Sequence, residues 1–317
     1  MELTWNQVVG PLAGLATSCL WVATSLLFTA AGRRIGSTWV NAVRLLAAVL
    51  LHAGALAILT GGVWPEASSR QVLFLALSGV IGLSVCDQAL FTAFVDIGPR
   101  RALLIQTTSP LFAVALGVAL LGEPLRWMDA LGMLMTLSGV AWVNAERSHT
   151  GSDDRAHPHF RRGIALAFLA AACQAIGFYF SKRGIGAGDL PGDELPAQSA
   201  AYLRMVFGTM GMAPIILAYL ARSDAARAAG RARRIGSVRG GIALACCGAF
   251  VGPFLGVWSS LVAIGRTPSL GVAQTMCSLS PVLILPVVAW LHRERVSPRA
   301  AAGAVIAVAG AAVLFIT

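Results

Sequence analysis

Long, uninterrupted apolar runs set the limits on what this chain can become. They cover residues 8–31, 38–60, 71–95, 102–121 and 127–144 in one half, and 163–181, 199–220, 240–264, 270–291 and 300–316 in the other. A helix needs about 20 apolar residues to cross ~30 Å of hydrocarbon, and each run approximates that length. The runs are continuously apolar rather than alternating, which excludes a transmembrane β-barrel. Only 12% of the residues are charged, against about 25% in a soluble domain, and they sit in short gaps between the runs. The expectation is an all-α polytopic membrane protein of ten transmembrane helices, with no room for a sizeable soluble domain.

The net charge of +10 does not point to nucleic acid, because the basic residues form short clusters at helix ends without aromatic interleaving. Topology signals account for them better. Six cysteines (Cys19, Cys86, Cys173, Cys246, Cys247 and Cys277) fall inside apolar runs without C-x-x-C spacing, and read as small buried hydrophobes. The first run is preceded by Glu2 and by no Lys or Arg, so it reads as a permanent span rather than a signal peptide. Zinc-protease, nucleophile-elbow, Walker and dinucleotide motifs are all absent. Neither an enzyme, a metal nor a cofactor is expected.

The two halves match each other. Ser109-Pro110, Glu123, Gly132 and Gly139 recur as Ser280-Pro281, Glu294, Gly303 and Gly310, each separated by 171 residues. Arg44 and Arg204 stand near the beginnings of the second and seventh runs. Matches in constant register imply an internal duplication: a first repeat over 1–145, a linker over 146–162 and a second repeat over 163–317. Five is odd, so a second copy must lie upside down relative to the first. Charge agrees: gaps after odd-numbered runs hold 17 basic residues and gaps after even-numbered runs hold 5. The positive-inside rule then makes the odd gaps cytoplasmic and both termini extracytoplasmic.

Ser-Pro in the fourth run, a glutamate thirteen residues on and two glycines seven apart resemble the drug/metabolite transporter superfamily, and within it the EamA-type transporters with two repeats. The first copy reads Pro110, Leu121-Gly122-Glu123, Gly132, Gly139. The second reads Pro281, Leu291-His292-Arg293-Glu294, Gly303, Gly310, and lacks the small residue before the glutamate. The resemblance spans the whole chain. It implies a 5+5 inverted-repeat carrier of metabolites, amino acids or drugs, often an exporter, and no particular substrate.

Asp87 is the sharpest single residue, since an ionisable group inside a span costs at least ~2.5 kcal/mol and marks a wet cavity, a partner or a proton site. It reads either as a substrate or proton-coupling carboxylate, with Gln88 beside it, or as half of a structural pair. His52, near the middle of the second run, is the other proton-coupling candidate, against a plain interhelical hydrogen bond. Arg44 and Arg204 either reach the interface or recognise an anionic group, which a guanidinium grips bidentately. Pro110 and Pro281 each remove one backbone hydrogen bond in mid-span. Broken helices of inverted repeats tend to mark substrate sites, which nominates Gln106, Ser109, Gln274 and Ser278 as uncharged contacts. Trp21, Phe91, Phe178, Tyr179 and Trp258 are candidate cavity walls, against ordinary packing. Glu123 and Glu294 read as caps fixing the turn after the fourth and ninth runs, and the paired glycines as sites of close helix packing.

The function expected is secondary transport of a small-molecule solute across a bacterial inner membrane, as an exporter of amino acids or related metabolites working by alternating access. A monomer in the lipid bilayer is compatible with the sequence. The alternative is a lipid-handling membrane protein, either a flippase or a membrane enzyme.

Overall fold

A computed structural model describes residues 5–97, 99–146, 159–186, 194–221, 237–283 and 297–316. The first half contains α1 (Trp5–Ile35), α2 (Ser37–Thr60), α3 (Ser69–Gly79), α4 (Cys86–Ile97), α5 (Pro99–Gln106), α6 (Ser109–Leu121) and α7 (Trp127–Glu146). The second contains α8 (Phe160–Ile185), α9 (Ala197–Ala221), α10 (Val238–Ala249), α11 (Val257–Arg266), α12 (Leu270–Cys277) and α13 (Pro298–Ile316). Among the described residues there is no strand. Of the described residues, seven helical segments are long and apolar enough to cross a membrane, and shorter apolar helices cover Trp127–Val143, Leu270–Leu283 and Pro298–Leu314. Those three fall where the fifth, ninth and tenth runs were read. Glu294 and the end of the ninth run lie outside the described residues.

The outer surface is unusually apolar, and many polar side chains lie buried among the hydrophobic core residues. Leu50, Leu134 and Val305 are 66%, 65% and 68% exposed on the outside, while Asn41, His52, Ser78, Ser84 and Thr136 are wholly buried. Such a surface is stable only against an apolar solvent. The buried hydroxyls join helices: Ser78 Oγ donates to Gly177 O at 2.7 Å, Ser84 Oγ to Gly208 O at 2.7 Å and Ser18 Oγ to Met276 O at 2.8 Å. Small polar side chains let two backbones approach closely and bond across the gap.

The halves interlock. Gly241 and Gly248 of α10 meet Ile35 and Phe28 of α1, while Gly163 and Gly184 of α8 meet Ile97 of α4 and Leu75 of α3. The first helix of each half thus packs on the third segment of the other. The matched glycines make another close seam between the halves. A Cβ added at Gly139 would lie 2.5 Å from both Gly303 O and Ala307 N, and one at Gly310 2.7 Å from Gly132 O. Residue 132 faces 310 and 139 faces 303, so α7 and α13 run antiparallel.

Two departures from regular helix recur in both halves. Six residues, Val80–Val85, form a π-helical segment joining α3 to α4, and seven, Phe250–Gly256, do the same between α10 and α11. The fourth apolar run breaks at Thr107-Thr108, between α5 and α6, and the ninth run breaks at Ser278-Leu279, after α12. Proline follows each break within three residues, and the missing i−4 bond there is the reason the helices stop. Hydroxyls take up local carbonyls: Thr107 Oγ1 donates to Leu104 O, Thr108 Oγ1 to Ile105 O and Ser278 Oγ to Gln274 O.

Candidate functional site

Both breaks and both π-helical segments border one cavity of about 570 Å³ between the halves. Its volume falls in the ~300–1,000 Å³ range of small-molecule sites. Trp21 and Phe28 of α1, Arg44 of α2, Asp87 and Phe91 of α4, and Gln106 and Ser109 at the first break line one side. Gln174 and Phe178 of α8, Arg204 of α9, Pro253, Gln274, Ser278 and Pro281 line the other. From the middle the lining continues to Gly32, Val40, Phe91 and Leu103. Those are the helix ends that lead into the arginine pairs 33–34 and 100–101. A smaller apolar crevice between α6 and α8, about 370 Å³ and lined by residues such as Phe112, Leu116 and Ile176, offers no polar contact.

Asp87 enters the cavity just after the first π-helical segment, on the turn that the extra residue re-aims. Its carboxylate accepts from Arg44 Nη2, and Arg44 Nε donates to Asn41 Oδ1 at 2.7 Å. The Phe28 ring covers the guanidinium at 5.7 Å. Asn41 in turn donates to Met212 Sδ at 3.3 Å, tying the pair to α9. Asp87 is therefore both paired with Arg44 and part of the cavity lining, so both sequence readings of it concern the same carboxylate. Arg204 sits otherwise. It is 3% exposed, lies over the Phe178 ring at 5.7 Å, and its Nε has no hydrogen-bond partner among the described residues.

Opposite the lined end, the helices are tied together. Gly122, at φ 65°, ends α6 in the left-handed conformation that glycine adopts freely, and the chain turns there. Glu123 then accepts from Lys182 Nζ at 2.6 Å and from Leu270 N at 2.7 Å. Lys182 also donates to Pro268 O at 2.6 Å and Thr267 O at 3.3 Å. Glu123 was expected to fix the turn after its own helix; it instead clasps the other half, because α8 continues to Ile185 and brings Lys182 within reach. At the lined end Arg162 grips Asp96 with two bonds of 2.8 and 2.7 Å, joining α8 to α4.

Among the sequence-derived candidates, Asp87, Trp21, Phe91, Gln106, Ser109, Gln274 and Ser278 are brought together in the cavity lining, with Pro281. Gln274 Nε2 donates to Ser109 Oγ at 3.2 Å, linking the two broken spans. Pro110 is buried behind them. Gln88, Tyr179 and Trp258 are not part of that lining. Gln88 turns to Thr92 on its own helix, Tyr179 packs on the Phe180 ring at 5.2 Å and Trp258 on Phe254 at 6.0 Å. His52 also lies apart, wholly buried. Its Nδ1 is 3.1 Å from Gln198 Oε1 and its Nε2 is 3.2 Å from Pro253 O, a carbonyl of the second π-helical segment. Sequence reading missed Phe28 and Gln174 as lining residues, and missed the Glu123–Lys182 clasp. The one signal for the clasp is that Lys182 is the sole lysine.

The profile of the EamA-like transporter family matches residues 8–145 and again residues 161–316. The chain belongs to that family. It is therefore a multi-pass membrane protein of a family that transports small solutes, and the doubled match agrees with the two halves of the fold. No curated protein matches the sequence. Among 28 matching chains of solved structures, one described only as the crystal structure of a protein has a TM-score of 0.74 at 19% identity, covering 96% of this chain and 94% of that one. At that identity the likeness concerns the fold.

Proposed function

We propose that the protein is a secondary carrier with ten transmembrane helices, in two five-helix repeats (1–145 and 163–317) of opposite orientation joined by residues 146–162. The observation that carries this reading is the cavity between the halves, lined out to one end and clasped at the other by Glu123 and Lys182. A site reached from one side and sealed on the other is one state of an alternating-access cycle. The antiparallel α7–α13 seam supports the inverted arrangement, because equivalent helices of opposite repeats must run oppositely.

The lined end lies toward the gaps richest in arginine, so by the positive-inside rule it faces the cytoplasm. On this reading the termini are extracytoplasmic and the membrane is a bacterial inner membrane. Export of amino acids or related metabolites is the direction and cargo class that the family resemblance favours. Transport energy comes from solute or ion gradients, in keeping with a sequence that carries no nucleotide-binding motif. Asp87 acts here through its bond to Arg44, so an ammonium group of a solute has to compete with a guanidinium already in place.

The test is flux. Purified full-length protein in proteoliposomes, offered a metabolite panel with and without a proton gradient, should give saturable movement of at least one solute. Redistribution of lipid between leaflets with no solute movement would instead favour a flippase and end the carrier reading.

A further inference from the structure

The cavity is charged, and its charge is not balanced. Its described charged lining residues are Arg44, Asp87 and Arg204. Arg44 and Asp87 neutralise each other, which leaves one positive charge on Arg204. Duplication explains the asymmetry: the two π-helical segments begin 170 residues apart, at Val80 and Phe250, and on that register Asp87 falls on Val257, which also lines the cavity, so the second repeat has no carboxylate at the equivalent position.

The surroundings of Arg204 are built to hold a guanidinium. Gly82 and Gly177 face each other so closely that a Cβ on Gly82 would stand 2.9 Å from Arg204 Nη2, and one on Gly177 would stand 3.6 Å from the same atom. Any larger residue at Gly82 would fill the slot that the side chain enters. Burying a cation this far is costly, and the ring of Phe178 together with the more distant Asp87 carboxylate, already bonded to Arg44, offsets only part of that cost. The low dielectric becomes more demanding when the cavity closes and water leaves it. An anionic group on the transported solute supplies the missing partner.

We infer that Arg204 is the anchor for the carboxylate of the solute, and that the class carried is organic monoanions with an apolar body, whose charge of −1 cancels the cavity's +1. The apolar body meets the rings of Trp21, Phe28, Phe91 and Phe178. The buried Oε1 of Gln274, without a hydrogen-bond partner, accepts from a hydroxyl or amide donor on the solute where one is present. A zwitterion leaves the loaded cavity at +1 and an amine raises it to +2, so the inference narrows the proposed cargo from amino acids to related metabolites whose amino group is absent or blocked. This inference rests on the carrier reading and adds to it the charge of the cargo.

The test compares four probes with the same ring in wild-type proteoliposomes: 3-phenylpropionate, phenylalanine, 3-phenylpropanamide and 2-phenylethylamine. The expected order places phenylpropionate first, phenylalanine weaker, and the amide and amine at least about 10-fold weaker, as for loss of hydrogen bonds to a charged group. Arg204→Gln should weaken phenylpropionate by about 10–150-fold and leave the amide within about 3-fold, with Arg204→Lys intermediate. Size-exclusion profiles establish that each variant is folded. If Arg204→Gln does not fold, the wild-type order alone decides. Equal transport of the amide or amine, preference for phenylalanine, or movement of none of the four while other metabolites pass would each overturn the carboxylate anchor and leave the carrier intact. Failure of every solute would overturn the carrier reading itself.

Discussion

Replacing Glu123 with glutamine tests the clasp that closes one end of the cavity. The Glu123 and Lys182 side chains are 10% and 9% exposed, and Glu123 holds α8 with one oxygen and the first turn of α12 with the other. Glu123→Gln keeps size and one acceptor but removes the negative charge, so the bond to Lys182 loses its charged acceptor. Lys182 retains the carbonyls of Thr267 and Pro268, which places the loss near that of one hydrogen bond between charged groups, about 1.5–3 kcal/mol. At 1.4 kcal/mol per factor of ten, the clasped state should lose ground by about 10–150-fold relative to the state open on that side. Leu270, wholly buried beside the clasp, is a suitable reporter. With Leu270→Cys in a background where the native cysteines are replaced, a membrane-impermeant maleimide added from the clasped side should react faster by that factor when Glu123→Gln is present. Equal rates in two folded proteins would refute the idea that this contact seals the cavity.

Further outcomes follow from contacts of the same kind. Asp87→Asn strands Arg44 in the cavity and should cut flux by at least about 10-fold in folded protein. The double variant with Arg44→Gln should recover part of it; wild-type flux in Asp87→Asn alone would remove the pair from the transport cycle. His52→Ala deprives Gln198 of a buried partner and should lower the melting temperature, by about 1–3 kcal/mol of stability, while leaving the pH profile of transport unchanged. A flattened profile would restore a proton-coupling role. Gly139→Ala forces a Cβ onto the α13 backbone and should cost about 1–3 kcal/mol, whereas Gly54→Ala, inside α2 and with no described atom within 4 Å of the added Cβ, should melt at or slightly above the wild-type temperature. Thermal stability in detergent separates the two; equal melting would show that the seam can yield.

The helices were legible because hydrophobic runs of membrane length have few other uses, and the breaks at Thr107-Thr108 and Ser278-Leu279 were legible because proline cannot donate a backbone bond. The π-helical segments were not. A one-residue change in hydrogen-bond register leaves the apolar composition of Val80–Val85 unaltered, and neighbouring helices decide whether it is stable. Site residues followed the same division. Gln106, Ser109, Gln274 and Ser278 flank the proline breaks, and their position in the cavity follows from that. Gln88, Tyr179 and Trp258 are each one residue from a cavity-lining position, Asp87, Phe178 and Val257 respectively. One step along a helix turns a side chain by ~100°, a distinction hidden when a span is known only by its hydropathy. The Glu123–Lys182 contact joins residues 59 positions apart, and no local pattern announces such a pair.

The glycine seam carries a consequence for how such a chain can arise. Gly132 and Gly303 are counterparts, as are Gly139 and Gly310, yet each touches the other's counterpart: 132 meets 310 and 139 meets 303. That crossed register is self-complementary, like the contact around a dyad in a symmetric dimer. A single five-helix module inserted in both orientations would meet a copy of itself with the same two glycines. Fusing the copies into one polypeptide frees each half to diverge on its own, and the aspartate at 87 opposite the valine at 257 is the kind of difference that a homodimer could never acquire.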